Sequence, residues 1–375
     1  MKRILFTVTN DLSYDQRMQR ICTSMANAGY DVFLIGRKVK SSIALKKEPF
    51  TQKRLSCLFN KGFLFYAEYN LRLFVYLLFI RMDAVCAIDL DTILPCYIVS
   101  LLRGKKRVYD AHELFSEMKE VITRPFIKRT WLAIEKFAVP KFKYGYTVSH
   151  SIAEEFHKRY NISYEVIRNM PVTIRLVNPG ANAQNLGRQN EQTAKKIILY
   201  QGAVNEARGL ENLVDAMQYV DAVLHIYGDG NIYEKIERLI PDKRLKHKII
   251  LKGKLMPEML QQATQDAYIG VNLVEPVGLN QIYSLANKFF DYIQTGMPQV
   301  TMNFPEYKKI NDEFNVAVLV DTVIEKEIAD AINLLLKNTV LHDALKNNCI
   351  AAREILNWQQ EEKKLIPFYN NVFAD

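Results

Sequence analysis

The sequence lacks the features of several protein classes. Its five cysteines form no C-x-x-C pair, and none of its six histidines stands at ligand spacing to a cysteine pair, so no zinc or other metal site is expected. No apolar secretory segment opens the chain, which favours a cytoplasmic protein whose cysteines are reduced and buried. No nucleic-acid-binding motif with interleaved aromatic residues occurs, and nucleic acid is not expected as a partner.

Long uninterrupted apolar runs are also missing. Residues 62–80 come nearest, but Glu68 and Arg72 interrupt them. Each charge near a membrane centre costs about 2.5–3.5 kcal/mol, which argues against a membrane span. Two interpretations stay open, a long helix packed in the core of the first domain or a helix lying in the membrane interface.

Charge is distributed unequally along the 375 residues. Residues 1–178 contain 29 Lys and Arg against 16 Asp and Glu, a net of +13, whereas the remaining 21 and 25 give residues 179–375 a net of −4. Such asymmetry indicates that the first half faces something anionic. An anionic bilayer surface or a lipid-linked diphosphate is the favoured partner.

The order of the predicted elements indicates two α/β domains. Strands and helices alternate from residue 3 to residue 167, and a second alternating series begins at Lys196, the pattern of parallel sheets. The segment between them, 178–194, is rich in Asn, Gln and Gly and is predicted to be a linker. The predicted domains are therefore 1–177 and 195–357, and 358–375 is predicted to be a last helix.

Five landmarks in the second half mark strand ends and helix starts. They are Gln201-Gly202, Ala207–Leu210, Gly228-Asp229-Gly230, Leu251–Leu255 and Tyr283–Pro298. At such places a doubly wound sheet exposes backbone N–H groups, which suit a phosphate or diphosphate.

Together these landmarks resemble the donor-binding half of retaining glycosyltransferases of family 4, the "group 1" transferases. The first half agrees, since Asp15-Gln16-Arg17-Met18, Asp89–Thr92 and Val108–Leu114 are similar to stretches of the same family. The resemblance implies the GT-B fold, with two doubly wound parallel-sheet, Rossmann-like domains facing a cleft and a last helix that crosses back to the first domain. It also implies transfer of a sugar from a nucleotide diphosphate, with retention and without a metal or other cofactor.

The resemblance also implies roles for particular residues. His112, Arg208 and Lys288 are predicted to be catalytic. The predicted donor-binding residues are Gly202, Arg208, Gly228, Gly230, Lys252, Gly253, Glu275, Tyr283, Ser284, Leu285, Asn287, Lys288 and Asp291. The predicted acceptor or cleft residues are Asn10, Asp11, Asp15, Arg17, Asp89, His112 and Glu113.

Two positions depart from the family pattern. Ala203 stands where a first basic residue is expected, so that Arg208 is the remaining one and Lys288 or Arg17 is a candidate substitute. Tyr283 stands where the first carboxylate of the E-x7-E element is expected; the second is Asp291, and Glu275 is an alternative acid.

The predicted function is transfer to a glycan or lipid-linked acceptor in bacterial surface polysaccharide assembly, in the cytoplasm or at the inner face of the cell membrane. A nucleotide-sugar epimerase and a non-catalytic nucleotide-sugar-binding protein are the alternatives.

Overall fold

The computed structural model describes residues 1–13, 15–173 and 195–374. The predicted linker 178–194 lies outside the described residues. The chain forms two compact units. Unit 1 consists of Met1–Asn169, Gly278–Ser284 and Trp358–Asp375, and unit 2 consists of Met170–Val277 and Leu285–Asn357.

Unit 1 contains a seven-stranded sheet in the order β3-β2-β1-β4-β5-β6-β7. All its strand pairs are parallel. The strands are β1 (Arg3–Thr7), β2 (Asp31–Lys38), β3 (Thr51–Ser56), β4 (Ala84–Ile88), β5 (Lys106–Ala111), β6 (Tyr144–Thr147) and β7 (Glu165–Val166). The central strand β4 is buried throughout, as expected when both faces of a parallel sheet are covered.

The helices of unit 1 cover both faces of this sheet. They are α1 (Gln16–Asn27), α2 (Gly62–Phe79), α3 (Ile93–Leu102), α4 (Lys119–Ile122), α5 (Pro125–Ala138), α6 (His150–Tyr160), α10 (Leu279–Ile282) and α15 (Trp358–Ala374). The last helix packs into the core beside α1, where Leu365, Tyr369 and Val372 are buried and Trp358 Nε1 donates to Ser24 Oγ at 2.9 Å.

Unit 2 contains a six-stranded sheet in the order β10-β9-β8-β11-β12-β13, again with parallel pairs throughout. The strands are β8 (Ile197–Gln201), β9 (Val223–Tyr227), β10 (Ile249–Gly253), β11 (Ile269–Asn272), β12 (Gln299–Met302) and β13 (Ala317–Val320). The helices are α7 (Leu210–Ala216), α8 (Tyr233–Asp242), α9 (Pro257–Gln265), α11 (Asn287–Thr295), α12 (Pro305–Phe314), α13 (Glu325–Lys337) and α14 (Thr339–Ala352). Two parallel-sheet α/β domains confirm the predicted fold class.

Residues 62–79 form α2, which packs by one face only. Phe65, Tyr69, Leu73 and Leu77 are buried in the core, while Phe79 on the opposite side is 84% exposed. No described helix is long and apolar enough to cross a membrane.

The cysteines follow the prediction with one exception. Cys22, Cys86, Cys96 and Cys349 are buried and free, whereas Cys57 is half-buried and also free. Cys57 follows the exposed edge strand β3, and this position explains why its side chain is not enclosed.

Candidate functional site

Three loops lie side by side at the carboxyl edge of the unit 2 sheet. Gly202 N donates to Tyr227 O at 3.0 Å, Val204 N to Asp229 O at 3.0 Å, and Gly228 N to Gly253 O at 2.9 Å. The loops that follow β8, β9 and β10 are thereby held together. Ligands of open α/β sheets bind at this edge.

Two of the predicted glycines are required by this close packing. A Cβ at Gly228, where φ is +143°, would lie 1.8 Å from Gly202 O, and a Cβ at Gly230 would lie 2.2 Å from Asn205 Oδ1. Gly253 differs, because a Cβ there would meet no atom within 4 Å although φ is +66°. The first two glycines therefore bring the loops together, and Gly253 supplies only a turn.

Lys288 lies in the first turn of α11 and reaches the Gly202 loop. Its Nζ lies 3.6 Å from the centroid of the Tyr200 ring and 3.7 Å from the position that a Cβ would take at Gly202. The residue is 9% exposed. Burial, together with the charge of Arg208, holds the pKa of Lys288 well below its usual value.

Arg208 brings a second cation to the same place. It follows Ala207, a non-glycine residue with φ of +61°, and it is half-buried. Within the described chain neither Arg208 nor Lys288 takes part in an ion pair or a side-chain hydrogen bond. The Asp291 carboxylate opposes the effect of Arg208 on the pKa of Lys288, but that pKa stays well below its usual value. Two neighbouring cations that one carboxylate offsets only in part are suited to receive an anion.

Asp291 lies one helical turn beyond Asn287 and is fixed by a polar chain. Gln201 Nε2 donates to Asp291 Oδ2 at 2.9 Å, and Thr264 Oγ1 donates to Gln201 Oε1 at 2.7 Å. Thr264 is buried, so this chain orients the carboxylate from within the unit. Asn287 is exposed at the start of the helix.

The remaining predicted donor residues of unit 2 are Glu275, Lys252 and Leu285. Glu275 N donates to Ala207 O at 3.0 Å, which puts Glu275 next to the Arg208 loop. Lys252 is exposed at the end of β10, and the side chain of Leu285 is buried. Leu285 can therefore offer a ligand only its backbone.

Tyr283 and Ser284 belong to unit 1 instead. Ser149 Oγ donates to Tyr283 O at 2.9 Å, and Leu114 N donates to Asn280 Oδ1 at 2.8 Å. Leu279 and Tyr283 pack against the apolar core of unit 1. The segment just before the Lys288 helix is thus anchored on the first unit.

A second polar cluster lies at the carboxyl edge of β4 and β5 in unit 1. His112 Nδ1 lies 3.8 Å from Asp89 Oδ2, and Glu113 N donates to Asp89 Oδ1 at 3.0 Å. Asp89 has φ of +55°, which is uncommon for a non-glycine residue. The structure therefore brings together three of the residues predicted for the acceptor or cleft.

The surroundings shift the pKa values of His112 and Asp89 in this cluster. Burial, with Arg17 and Arg20, lowers the pKa of His112; its ring is 37% exposed, and it is neutral at pH 7. Burial and the neighbouring carboxylates raise the pKa of Asp89. Among the described residues no three His, Cys, Asp or Glu side chains are grouped to hold a metal ion.

Four more residues predicted for the acceptor or cleft form contacts within unit 1. Arg17 is 3% exposed and its Nη2 lies 2.8 Å from Asp110 Oδ1, so its charge is already neutralised and it does not replace the basic residue missing at 203. Asp15 caps α1 by accepting from Met18 N. Asp11 is paired with Arg54 at 2.8 Å, and Asn10 is exposed beside Asp15.

The sequence analysis assigned no functional role to Asp91, Gln201 or Tyr200. Asp91 is buried, and Thr9 Oγ1 donates to it at 2.5 Å; burial raises its pKa to about 7. Asp91 lies in the Asp89–Thr92 stretch that resembles the family, so the sequence contained an indication of its importance. Nothing in the sequence indicated that Tyr200 and Gln201, at the end of β8, would meet Lys288 and Asp291.

Comparisons with known proteins bear on this geometry. Residues 183–352 match the family model of glycosyl transferases group 1. No curated protein matches the chain significantly.

Solved structures match over the whole chain. Sucrose-phosphate synthase from Thermosynechococcus elongatus superposes with a TM-score of 0.78 at 18% identity, covering 100% of both chains. HepE from Anabaena, solved in complex with UDP-glucose, gives 0.75 at 12% identity, covering 99% of this chain and 100% of its own. The lipopolysaccharide outer core galactosyltransferase WaaB gives 0.65 at 15% identity, covering 100% of this chain and 99% of its own.

The fold is that of the GT-B glycosyltransferases. At these identities the structural likeness establishes the fold alone. The group 1 match covers β8 to α14, the part of the chain that holds Arg208, Lys288 and Asp291. Fold and family match together support glycosyl transfer as the class of reaction.

Proposed function

We propose that the protein is a retaining, metal-independent glycosyltransferase that moves a sugar from a nucleotide diphosphate to a glycan or lipid-linked acceptor. The acceptor would belong to bacterial surface polysaccharide assembly at the inner face of the cell membrane. Relatives in fold support a nucleotide-sugar donor, since HepE is seen with UDP-glucose and WaaB is described as a lipopolysaccharide galactosyltransferase.

The observation that carries the proposal is the pair of cations at the Gly202 loop, neither of which forms an ion pair within the described chain. Lys288 Nζ lies beside Gly202, and Arg208, later in the same loop, lowers the pKa of Lys288. A diphosphate would relieve their repulsion and accept hydrogen bonds from both. Two cations can also perform the charge neutralisation for which other transferases use a divalent metal ion.

In the proposed reaction the bond between the anomeric carbon and the diphosphate oxygen breaks while the oxygen of an acceptor hydroxyl bonds to the same carbon. The hydroxyl proton passes to the departing diphosphate oxygen. Negative charge then grows on the departing diphosphate, where Arg208 and Lys288 stabilise it. Asp291, oriented by Gln201 at 2.9 Å, accepts hydrogen bonds from the ribose hydroxyls. Neutral His112 serves as a hydrogen-bonding group toward the donor phosphate or sugar.

Binding of nucleoside diphosphates, measured by calorimetry, tests the proposal. Losing one charge-assisted hydrogen bond costs about 1.5–3 kcal/mol, so Arg208→Ala is expected to weaken UDP or GDP binding about 10- to 150-fold. Arg238→Ala is the matched control, because Arg238 is exposed and its contacts in the described part of the chain are with Glu234 on the same helix. Equal affinity of Arg208→Ala and wild type for every nucleoside diphosphate would refute the donor site.

Asp291→Asn separates the ribose from the diphosphate. A carboxylate accepts from two hydroxyls, whereas an amide has a single acceptor oxygen. The variant is expected to bind UDP or GDP about ten-fold more weakly and to bind inorganic pyrophosphate like wild type. A parallel loss for both ligands would show that Asp291 acts on the diphosphate part of the site, through the charge of Lys288 or through folding.

Turnover distinguishes the enzyme from the other two functions that the sequence allows. Release of nucleoside diphosphate that requires an added acceptor would support transfer. Conversion of the donor sugar without any acceptor would instead identify an epimerase. Tight donor binding without either reaction, over a broad acceptor panel, would identify a binding protein.

A further inference from the structure

Helix α2 carries a second apolar face that no described residue covers. Its exposed side chains Leu64, Leu71, Val75 and Phe79 are seven, four and four positions apart, so they form one stripe. The buried stripe, Phe65 to Leu77, lies on the other side of the helix. A helix on the surface of a soluble protein normally carries polar residues where this stripe lies.

The neighbouring helices extend this surface. Helix α3 packs beside α2, and α5 beside α3. On α3, Ile98, Leu101 and Leu102 are exposed, and on α5, Phe126 and Phe137 are exposed. We call the outer surface of α2, α3 and α5 the three-helix face.

Aromatic contacts hold the three helices in register. Tyr66 of α2 meets Trp131 of α5 with ring centroids 5.3 Å apart, and Tyr97 of α3 meets Phe137 of α5 at 5.8 Å. Arg103 Nη1 joins α3 to the end of α2 by donating to Leu77 O at 2.8 Å. The face is therefore a fixed surface of unit 1.

The charges of the face are almost all positive. The three helices contain two carboxylates, Glu68 and Glu135, whose side chains are 14% and 2% exposed. Both are engaged, Glu68 with Arg72 at 2.8 Å and Glu135 with Arg159 at 3.4 Å. The exposed basic residues on and around the face are Lys61, Arg72, Arg81, Arg124, Arg129 and Lys136. One exposed carboxylate, Glu120, lies at its edge on α4, which packs against α5.

We infer that the three-helix face docks on an anionic lipid bilayer, with its apolar side chains in the interface and its basic residues on the lipid headgroups. Exposed apolar residues ringed by cations, without an exposed carboxylate on the helices, complement such a surface. A protein partner with a positively charged surface would be repelled by the same cations. The inference rests on the membrane location in the proposed function and names the surface that meets the lipid, and it uses no residue of the donor site.

Flotation of the full-length protein with vesicles tests this inference. Binding is expected with vesicles of phosphatidylcholine and phosphatidylglycerol at low salt, and little with phosphatidylcholine alone. Reversing two charges by Arg129→Glu and Lys136→Glu should weaken binding by about five-fold or more per charge. Replacing Leu71→Gln and Phe79→Gln should weaken it by about ten-fold or more.

Matched controls lie in unit 2. Lys309→Glu with Lys337→Glu reverses two exposed charges, and Val340→Gln with Ile355→Gln replaces two exposed apolar side chains; both pairs should bind vesicles like wild type. Each variant should keep wild-type UDP or GDP affinity, which separates this inference from the donor site. Absence of wild-type flotation, or equal loss in the controls, would overturn it. So would a wild-type dimer that dissociates in Leu71→Gln, Phe79→Gln while vesicle binding stays unchanged, because the face would then hold a second copy.

Discussion

Replacement of Lys288 by methionine tests whether the buried amine serves a ligand. In the free protein, burial and the charge of Arg208 hold the pKa of Lys288 well below 10.5. A diphosphate placed between the two cations adds negative charge to that of Asp291 and raises the pKa of Lys288 again. Wild-type protein is therefore expected to take up a proton when it binds UDP or GDP at alkaline pH.

Proton uptake of up to about one per ligand is expected at alkaline pH, between the lowered pKa of free Lys288 and 10.5. The ligand itself contributes little there, because a terminal phosphate loses its last proton near pH 6. Since the complex holds more protons than the free protein, wild-type affinity should fall as the pH rises above the pKa of free Lys288. Lys288→Met should show weaker binding, by about 1.5–3 kcal/mol at neutral pH, and no pH dependence of this origin.

Calorimetry in two buffers of different ionisation enthalpy measures the uptake directly. Lys288→Met should abolish the difference between buffers, and Arg208→Ala should reduce it, because removal of the neighbouring charge raises the pKa of Lys288 in the free protein. Identical binding enthalpies in both buffers for wild type would refute the reasoning. Uptake that persists in Lys288→Met would assign the proton to another group.

Lys288→Met is expected to weaken ligand binding but to stabilise the unliganded protein. Because the folded pKa of Lys288 is lowered, the unfolded chain binds more protons, and stability rises as the pH increases through the window between the folded pKa and 10.5. Below that window the full cost of a buried charge remains. Methionine removes this cost, so thermal unfolding of the unliganded variant at neutral pH should occur at a higher temperature than that of wild type.

Three further substitutions test the loops of unit 2 and the polar cluster of unit 1. Gly228→Ala should lower the free energy of unfolding by more than about 2 kcal/mol, because its Cβ would overlap Gly202 O. Gly253→Ala should lower it by only about 1 kcal/mol, the cost of its left-handed backbone. Equal losses for the two variants in urea unfolding would contradict the loop packing. Asp91, whose pKa rises from 3.8 to about 7 on burial, should make wild type less stable as the pH rises through that range, by at most about 4 kcal/mol. Asp91→Asn should remove this pH dependence and be more stable than wild type at pH 8. If thermal unfolding gives parallel pH profiles for wild type and Asp91→Asn, Asp91 does not titrate between pH 3.8 and 7.

Much of the fold could be predicted from apolar periodicity. The buried strand β4 and the amphipathic helix α1 are specified by local pattern alone, and Asp15 indicates the start of α1. Strand β3 was not predicted, because Thr51–Ser56 is a half-exposed edge strand with the polar sequence TQKRLS. Its identity as a strand depends on pairing with β2, which local sequence does not encode.

The candidate site was predictable only where one short segment forms it. The Gly228–Gly230 turn and the start of α11 are local, so their positions were recognised. The neutralisation of Arg17 depends on Asp110, which is far away in the sequence. Whether a basic residue is free for a ligand is therefore a property of the folded chain.

The alanine at position 203 shows why this matters for the donor site. The family pattern implies a basic residue there, and the structure has one at the same loop that comes from α11 instead. The amine of Lys288 rests on the Tyr200 ring at 3.6 Å and lies beside Gly202, the residue that precedes Ala203. A cation supplied from a helix is more rigid than one on an exposed loop, and its burial makes the charge costly until an anion arrives. In the proposed donor site, the departure at 203 thus changes which element carries the charge and keeps the number of cations at two.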